Sequence, residues 1–174
     1  MKRFFKQLIV AVHFLPISYA ALADIEVGSQ APNFILSDQH NVQHQLSDYE
    51  GGWVILYFYP KDDTPGCTTQ ACDFRDAVKR IVASKSNVFG VSLDSVESHK
   101  RFADKNNLPF SLLSDESGEV SKAYDSLNNF MSFKSAKRNT FIINPEGKIA
   151  KIYRSVKPST HSQMVLNDLN QLQN

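Results

Sequence analysis

The stretch Pro60-Lys-Asp-Asp-Thr-Pro-Gly-Cys-Thr-Thr-Gln-Ala-Cys72 lies where a predicted strand passes into a predicted helix. Before it, residues 53–59 (Trp-Val-Ile-Leu-Tyr-Phe-Tyr) form a continuous apolar run, which is typical of a central strand buried on both faces. After it, apolar residues recur at helical spacing and form one face that can turn toward the sheet: Ala71, Phe74, Val78 and Ile81. The chain is therefore predicted to be organised around this junction.

The junction places a cysteine in the first turn of the predicted helix. Thr64 is the predicted N-cap and Pro65 the first helical residue, a position where a missing N–H group costs nothing. Cys67 then lies where unpaired backbone N–H groups and the positive end of the helix dipole favour an anion. A thiolate is the anion that this residue supplies, which indicates a reactive cysteine.

The first 23 residues differ in composition from the rest. Three basic residues precede an apolar run over residues 8–19, and Ala21-Leu-Ala23 has the small-x-small pattern of a signal-peptidase site. We interpret residues 1–23 as a cleaved signal peptide, which predicts a periplasmic or secreted protein. The alternatives are an amphipathic first helix and a membrane anchor. An anchor is disfavoured because the run contains a histidine and a proline and is shorter than the roughly 20 apolar residues that span a bilayer.

The remaining residues, 24–174, have the length of a single domain. The whole chain carries a formal charge of +1, from 19 basic and 18 acidic residues that are interspersed. This balance provides no basic stripe for nucleic acid and no polybasic patch for anionic lipid. We therefore expect neither a nucleic-acid partner nor a membrane association after signal cleavage.

The two cysteines, Cys67 and Cys72, have C-x4-C spacing. A structural disulfide is chemically permitted in an exported protein, but this spacing closes a loop too short to constrain the unfolded chain strongly. An exported thiol–disulfide oxidoreductase is another alternative, although it is expected to carry C-x-x-C, which is absent. The five histidines show no paired ligand spacing with the cysteines, so no metal site is predicted.

The rest of the chain alternates between predicted strands and helices. Asp94, with Glu97 three residues later, resembles a capping box that opens a helix. The serines, asparagines and lysines of residues 127–137 favour a loop. The other predicted elements are a hairpin placed before the main fold (33–36 and 42–46), strands at 87–93 and 110–113, helices at 94–106, 118–124 and 162–172, and a hairpin at 139–143 and 149–153. Their sum is an α/β domain.

Residues 58–75 resemble the active-site segment of the peroxiredoxins, specifically the bacterioferritin comigratory protein (PrxQ) subfamily. Pro-x-x-x-Thr-x-x-Cys together with a distant arginine is the most specific part of the match. Further similarity lies in Ala-Pro-Asn-Phe at 31–34, Gly-Val-Ser-Leu-Asp at 90–94, Leu-Leu-Ser-Asp at 112–115 and Arg-Asn-Thr-Phe-Ile-Ile at 138–143. The resemblance covers essentially all of residues 24–174. It implies a thioredoxin-like fold, with a central mixed β-sheet flanked by helices and an N-terminal β-hairpin extension.

The resemblance also implies a function and a set of site residues. Members of this subfamily are thiol-dependent peroxidases that reduce hydrogen peroxide and organic hydroperoxides to water and alcohols in antioxidant defence. By residue-to-residue match, Cys67 is the peroxidatic cysteine, Cys72 the resolving cysteine, and Pro60, Thr64 and Arg138 form the pocket.

The implied cycle passes through a Cys67 sulfenic acid and an intramolecular disulfide with Cys72, which a thioredoxin-like or other thiol reductant reopens. It requires no bound cofactor, and a monomer is expected. One departure from related sequences is Asn144, where aspartate is frequent. It lies outside the matched catalytic positions.

The chemistry explains why these residue types suit the site. A thiolate that attacks one peroxide oxygen drives negative charge onto the other, so the site needs donors aimed at both oxygens. Arg138 is a permanent cation with several donors, Thr64 offers a hydroxyl, and Pro60 shields sulfur without adding a donor. Without the cysteine nearby, Pro60 would be interpreted as an ordinary strand-end proline and Arg138 as half of a surface ion pair.

The spacing of the cysteines also predicts movement. Residues five apart in an α-helix have Cα atoms roughly 8–9 Å apart, whereas a disulfide generally needs less than about 7 Å. Either the helix between Cys67 and Cys72 unwinds during each cycle, or Cys72 is not the partner of Cys67.

Overall fold

A computed structural model of the chain describes residues 25–131 and 133–174. The predicted signal peptide, residues 1–23, lies outside the described residues. Within the described ranges, no helix is both long enough and apolar enough to cross a membrane.

The described residues form nine strands, four α-helices and two short 3-10 helices. The strands are β1 (Ile35–Asp38), β2 (Gln43–Gln45), β3 (Trp53–Phe58), β4 (Ser86–Ser92), β5 (Ser111–Ser114), β6 (Leu127–Phe130), β7 (Phe133–Ala136), β8 (Thr140–Ile143) and β9 (Ile149–Tyr153). The α-helices are α1 (Pro65–Ala83), α2 (Val96–Asn106), α3 (Glu119–Ala123) and α4 (His161–Leu172), and the 3-10 helices span Leu46–Tyr49 and Pro158–Thr160.

Strand β3 lies inside a seven-stranded mixed sheet with the order β2-β1-β5-β4-β3-β8-β9. It pairs in parallel with β4 and antiparallel with β8. Its side chains alternate between two cores, so that Ile55 and Tyr57 face one and Leu56 and Phe58 face the other. This burial on both faces confirms the predicted central strand and explains why its sequence is apolar without interruption.

The two faces of the sheet are covered differently. Helices α1, α2 and α4 pack on the face that contains Tyr57, with Phe74, Phe102 and Val165 as their buried contacts. The other face is covered by the N-terminal segment, by α3 and by the β7 end, through Phe34, Tyr124 and Ala136. The predicted mixed sheet flanked by helices is confirmed.

The N-terminal hairpin belongs to the main sheet. Strands β1 and β2 pair as predicted, but β1 also pairs with β5 through Ser37 opposite Ser114 and Asp38 opposite Leu113. The Asp38 carboxylate accepts hydrogen bonds from the backbone N–H groups of His40 and Val42 and so closes the turn. The hairpin is therefore an extension of the sheet at its edge.

The predicted loop over residues 127–137 is wrong, because β6 and β7 form a separate two-stranded hairpin there. Leu127 pairs with Ala136, which is fully buried, and Met131 has the positive φ of +54° that tight hairpin turns require. The strands of this hairpin are mostly polar, so the sequence pattern does not predict them. Its aromatic residues Phe130 and Phe133 are 73% and 80% exposed, so they do not pack back onto the domain.

The predicted N-cap of α2 is also wrong by one residue. Ser95 occupies the cap, and its Oγ accepts the hydrogen bond from the Ser98 N–H. The Asp94 carboxylate instead accepts from the Asp62 N–H at 2.9 Å and from the Ser92 hydroxyl at 2.7 Å. Asp94 therefore connects the end of β4 to the loop before α1.

Candidate active site

Cys67 lies in the first turn of α1, as predicted. Thr64 has the extended backbone of an N-cap residue, Pro65 is the first helical residue, and the Thr68 N–H donates to the Thr64 carbonyl at 2.9 Å. The N–H groups of Gly66 and Cys67 precede that first helical hydrogen bond and therefore have no partner within the helix. These N–H groups lie at the positive end of the helix dipole. The Cys67 thiol is free and 1% exposed.

Arg138 contacts this thiol directly. Its Nη2 lies 3.3 Å from Cys67 Sγ, although the two residues are 71 positions apart in the chain. The backbone of Arg138 is held between β7 and β8, where the Val156 N–H donates to its carbonyl and the next residue, Asn139, is buried. The structure thus brings the two predicted residues together across the site.

Gln70 is a site residue that the sequence interpretation missed. Its Oε1 accepts a hydrogen bond of 2.6 Å from Arg138 Nη1, and its side chain is fully buried. Gln70 and Cys67 are three residues apart and so lie on the same face of α1, which is the signal that would have found it. Its Nε2 has no hydrogen-bond partner among the described residues.

Thr64 and Pro60 occupy the segment that leads into α1. The Thr64 hydroxyl donates to the Lys61 carbonyl at 3.0 Å and forms no side-chain cap bond, so the predicted capping bond is absent. Pro60 is half-buried and follows directly after the last residues of the β3 run. The roles predicted for these two side chains toward peroxide stay predictions.

Cys72 lies five residues after Cys67, also within α1, and is half-buried. Its Sγ is 4.0 Å from Oδ1 of Asn106 at the end of α2. Arg75, one turn further along α1, donates to the Asn106 carbonyl at 2.9 Å. Both thiols are free, and Cys72 lies against the end of α2.

The charge at the site is positive and unbalanced. Among the ion pairs of residues 25–131 and 133–174, none involves the Arg138 guanidinium. Behind Cys67, burial raises the pKa of Tyr57 well above its ordinary value, and a nearby Cys67 charge adds to the rise. Tyr57 is consequently a neutral phenol that adds no competing negative charge. This arrangement places an unpaired cation and a neutral phenol next to the sulfur, which stabilises negative charge that develops there.

Comparisons with known proteins agree with this geometry. The AhpC/TSA family matches residues 27–152. Peroxiredoxin Bcp of Bacillus subtilis (strain 168) is 42% identical over 149 residues, which cover 83% of this chain and 95% of that protein. The crystal structure of a PrxQ mutant from Xylella fastidiosa has a TM-score of 0.82 at 33% identity, covering 87% of this chain and 99% of the other.

A further solved structure is that of the Xanthomonas campestris bacterioferritin comigratory protein, a protein described for its alkyl peroxide reduction activity. It has a TM-score of 0.78 at 33% identity and covers 86% of this chain and 98% of its own. These neighbours confirm the predicted thioredoxin-like fold. The chain therefore belongs to the AhpC/TSA family, within its Bcp/PrxQ peroxiredoxins, and is a thiol-dependent peroxidase.

Proposed function

We propose that the enzyme reduces hydrogen peroxide and organic hydroperoxides through direct attack by Cys67. The thiolate forms a bond to one peroxide oxygen while the oxygen–oxygen bond breaks, so sulfur is oxidised and peroxide is reduced. The departing oxygen takes up a proton and leaves as water or an alcohol, and Cys67 becomes a sulfenic acid. The observation that carries this proposal is the 3.3 Å contact between Cys67 Sγ and Arg138 Nη2.

The role of Arg138 follows from where charge develops. In the ground state, its Nη2 faces the sulfur. As the reaction proceeds, negative charge moves from sulfur onto the departing oxygen, and the same guanidinium has further donors to stabilise it. The unpaired N–H groups at the start of α1 add donors on the other side of the sulfur. Organic hydroperoxides are included as substrates because a similar protein is described for alkyl peroxide reduction.

The second half of the proposed cycle uses Cys72. Its thiol attacks the sulfenic sulfur, a disulfide forms within the chain, and the sulfenic oxygen leaves as water. A dithiol reductant such as a thioredoxin-like protein then reopens the disulfide by exchange and becomes oxidised itself. Cys72 is the only other cysteine in the sequence, which supports a monomeric enzyme with an internal resolving thiol. The cellular role of the enzyme would be antioxidant defence.

The test is peroxide consumption by purified, reduced protein supplied with dithiothreitol. We expect Cys67→Ser to abolish turnover with both hydrogen peroxide and an alkyl hydroperoxide. In a separate experiment without dithiothreitol, the reduced variant Cys72→Ser should still consume one equivalent of peroxide rapidly and should yield a sulfenic acid that dimedone traps. Undiminished turnover by Cys67→Ser would contradict the assignment of Cys67 as the residue that attacks peroxide. If mass spectrometry of the oxidised protein finds only disulfides between chains, the internal Cys67–Cys72 disulfide is excluded.

We also propose that the enzyme is exported and that a peptidase cleaves the chain between Ala23 and Asp24. The support is the order of basic, apolar and small residues at its start. Intact mass of the protein from the periplasm of its native host should correspond to a chain beginning at Asp24. A cytoplasmic product that begins at Met1 would contradict the proposed export, and with it the expectation that the reductant is an exported protein.

A further inference from the structure

The loop that leads into α1, residues 59–64, is held by a buried polar cluster that the chemistry above does not use. We call this segment the active-site loop. The Asp62 carboxylate accepts hydrogen bonds from the Tyr59 hydroxyl at 2.7 Å, the Ser98 hydroxyl at 2.8 Å and His99 Nδ1 at 2.9 Å. Asp62 is 6% exposed and His99 is fully buried. A carboxylate and an imidazole are therefore enclosed together beside the start of the catalytic helix.

The hydrogen-bond donors and acceptors of this cluster can be assigned in only one consistent way. Burial alone would raise the pKa of Asp62, but the hydrogen bonds from His99, Tyr59 and Ser98 hold it below its ordinary value. Asp62 is thus an ionised acceptor, and the His99 nitrogen that faces it carries the proton. The other ring nitrogen, Nε2, has no hydrogen-bond partner among the described residues. The hydrogen bonding of His99 is therefore directed at the active-site loop.

The loop needs such an anchor because its backbone is strained. Asp63 has a φ of +58°, a left-handed conformation that aspartate adopts more readily than most residues but that still costs free energy. Helix α2 holds this part of the loop, with Ser98 and His99 on Asp62 and with Lys105 Nζ 2.8 Å from Asp63 Oδ1. The ion pair of Lys105 is solvent-exposed, whereas the contacts of Asp62 are buried. The buried contacts are the stronger constraint.

The position of the loop determines the position of Cys67. Thr64 ends the loop as the N-cap of α1, and its hydroxyl is bonded back to Lys61 within the same loop. Asp62 lies between these two residues, so a shift of its carboxylate moves the first turn of α1. The contact of Cys67 with Arg138, which comes from a different part of the chain, depends on that turn. A misplacement of about 1 Å between reacting groups can lower a rate about 100-fold.

We propose that Asp62 and His99 are positioning residues for peroxide reduction, whose buried hydrogen bond fixes the active-site loop so that α1 presents Cys67 to Arg138 before peroxide arrives. This inference rests on the proposed peroxidase cycle. It predicts that the two chemical steps respond differently to loss of the hydrogen bond. Attack on peroxide requires the aligned first turn and should slow, whereas disulfide formation requires release of the helix between the cysteines and should not slow.

The test compares His99→Leu with His99→Asn. Leucine removes the donor, while asparagine can place its amide N–H close to the position of Nδ1. Single-turnover experiments with hydrogen peroxide should follow formation of the Cys67 sulfenic acid and, separately, of the disulfide. We expect the second-order rate constant for oxidation to fall roughly 10- to 100-fold in His99→Leu. His99→Asn should recover most of that loss, and the rate of disulfide formation should be at least that of the parent protein in both.

A matched control separates positioning from general destabilisation. Ala103→Gly lies inside the same helix, is buried, and is not a partner of Asp62. It should lower the melting temperature but leave the oxidation rate constant within about threefold of the parent. If His99→Leu does not fold, Ser98→Ala removes another donor to the same carboxylate and should slow oxidation at least threefold.

Three results would overturn the inference. One is an oxidation rate constant of His99→Leu within threefold of the parent. Another is that Ala103→Gly loses as much of the oxidation rate constant as His99→Leu does when both variants lose the same melting temperature. A third is His99→Asn as slow as His99→Leu although both are folded. The parent protein serves as the reference for the proposed function, because an inactive parent rejects the peroxidase cycle itself. An active parent with an unaffected His99→Leu rejects only the positioning role.

Discussion

At the scale of residues, the proposed chemistry depends on a single guanidinium. Arg138 contacts Cys67 Sγ through Nη2 and Gln70 Oε1 through Nη1, so one planar group is held at two points. Because Gln70 is neutral, it orients the guanidinium without neutralising it. The positive charge therefore remains available to the sulfur and to the oxygen that leaves.

Removing this charge should slow the reaction with peroxide. We expect Arg138→Ala to raise the barrier by roughly 2–4 kcal/mol, by analogy with loss of an oxyanion donor. The measurement is the second-order rate constant for Cys67 oxidation by hydrogen peroxide. The control is Arg154→Ala, which removes an exposed arginine that pairs with Asp125 and not with Cys67, and should leave the rate unchanged. A rate constant for Arg138→Ala within about threefold of the parent corresponds to less than about 1 kcal/mol and would contradict the role of the charge.

At the scale of elements, helix α1 carries both cysteines and must change during the proposed cycle. In the reduced structure, the helix is continuous from Pro65 to Ala83 and Cys72 is held beside Asn106. The Asp73 carboxylate accepts from the Ser162 N–H at 2.7 Å, and Phe74 is fully buried. These contacts limit the region that can open to the turns before Phe74.

Oxidation should therefore unwind the first turns of α1 and leave its remainder intact. Amide hydrogen exchange from Thr68 to Phe74 should accelerate when the Cys67–Cys72 disulfide forms, because the helical Cα spacing of roughly 8–9 Å exceeds what a disulfide allows. Gly66, Thr68 and Thr69 are poor helix formers, so this opening costs little.

The remainder of the molecule provides the control for this exchange experiment. Amides of residues 77–83 should keep their protection, and oxidised Cys72→Ser should show no acceleration. Unchanged exchange from Thr68 to Phe74 in the disulfide form would refute the unwinding and would favour resolution by an external thiol.

At the scale of the whole molecule, α1, β9 and α4 meet around one histidine. His161 is fully buried at the start of α4, and the rings of Phe74 and Tyr153 pack edge-on against it. Neither ring nitrogen has a partner among the described residues. Burial lowers the pKa of His161 from 6.5 to about 4, while Asp73 acts to raise it and Arg138 to lower it. The packed domain therefore requires a neutral imidazole.

This requirement makes stability depend on pH. The unfolded chain takes up a proton on His161 below about pH 6.5, whereas the folded chain does so only near pH 4. The contribution to stability is therefore complete above pH 6.5 and is lost as the pH falls toward 4. The free energy of unfolding should drop by about 2 kcal/mol between pH 7 and pH 5, as measured by urea denaturation. His161→Leu should lack most of this drop, and an equal drop in that variant would show that other groups cause it.

The sequence by itself determined the features that depend on neighbouring residues. The apolar run before Pro60 predicts a buried strand because continuous burial requires continuous apolarity. The order Thr64-Pro65 predicts the start of α1 because proline fits only the first turn, and this places Cys67 at the positive end of the helix. The position of the thiol at the start of α1 follows from that local order.

The tertiary structure decided every feature that depends on distant segments meeting. Arg138 reaches Cys67, and His99 reaches Asp62, only because β3, β4 and β8 are neighbours in the sheet and α1 and α2 pack into the same core on one of its faces. The hairpin over residues 127–136 was missed for the same reason, since its strand pairing and the burial of Ala136 depend on contacts that a mostly polar segment does not predict. Local propensity amounts to fractions of a kcal/mol per residue, whereas burial of apolar side chains amounts to whole kcal/mol. Where local propensity and packing conflict, packing therefore decides the local structure. The spacing of residues along the chain does not show which segments will pack together.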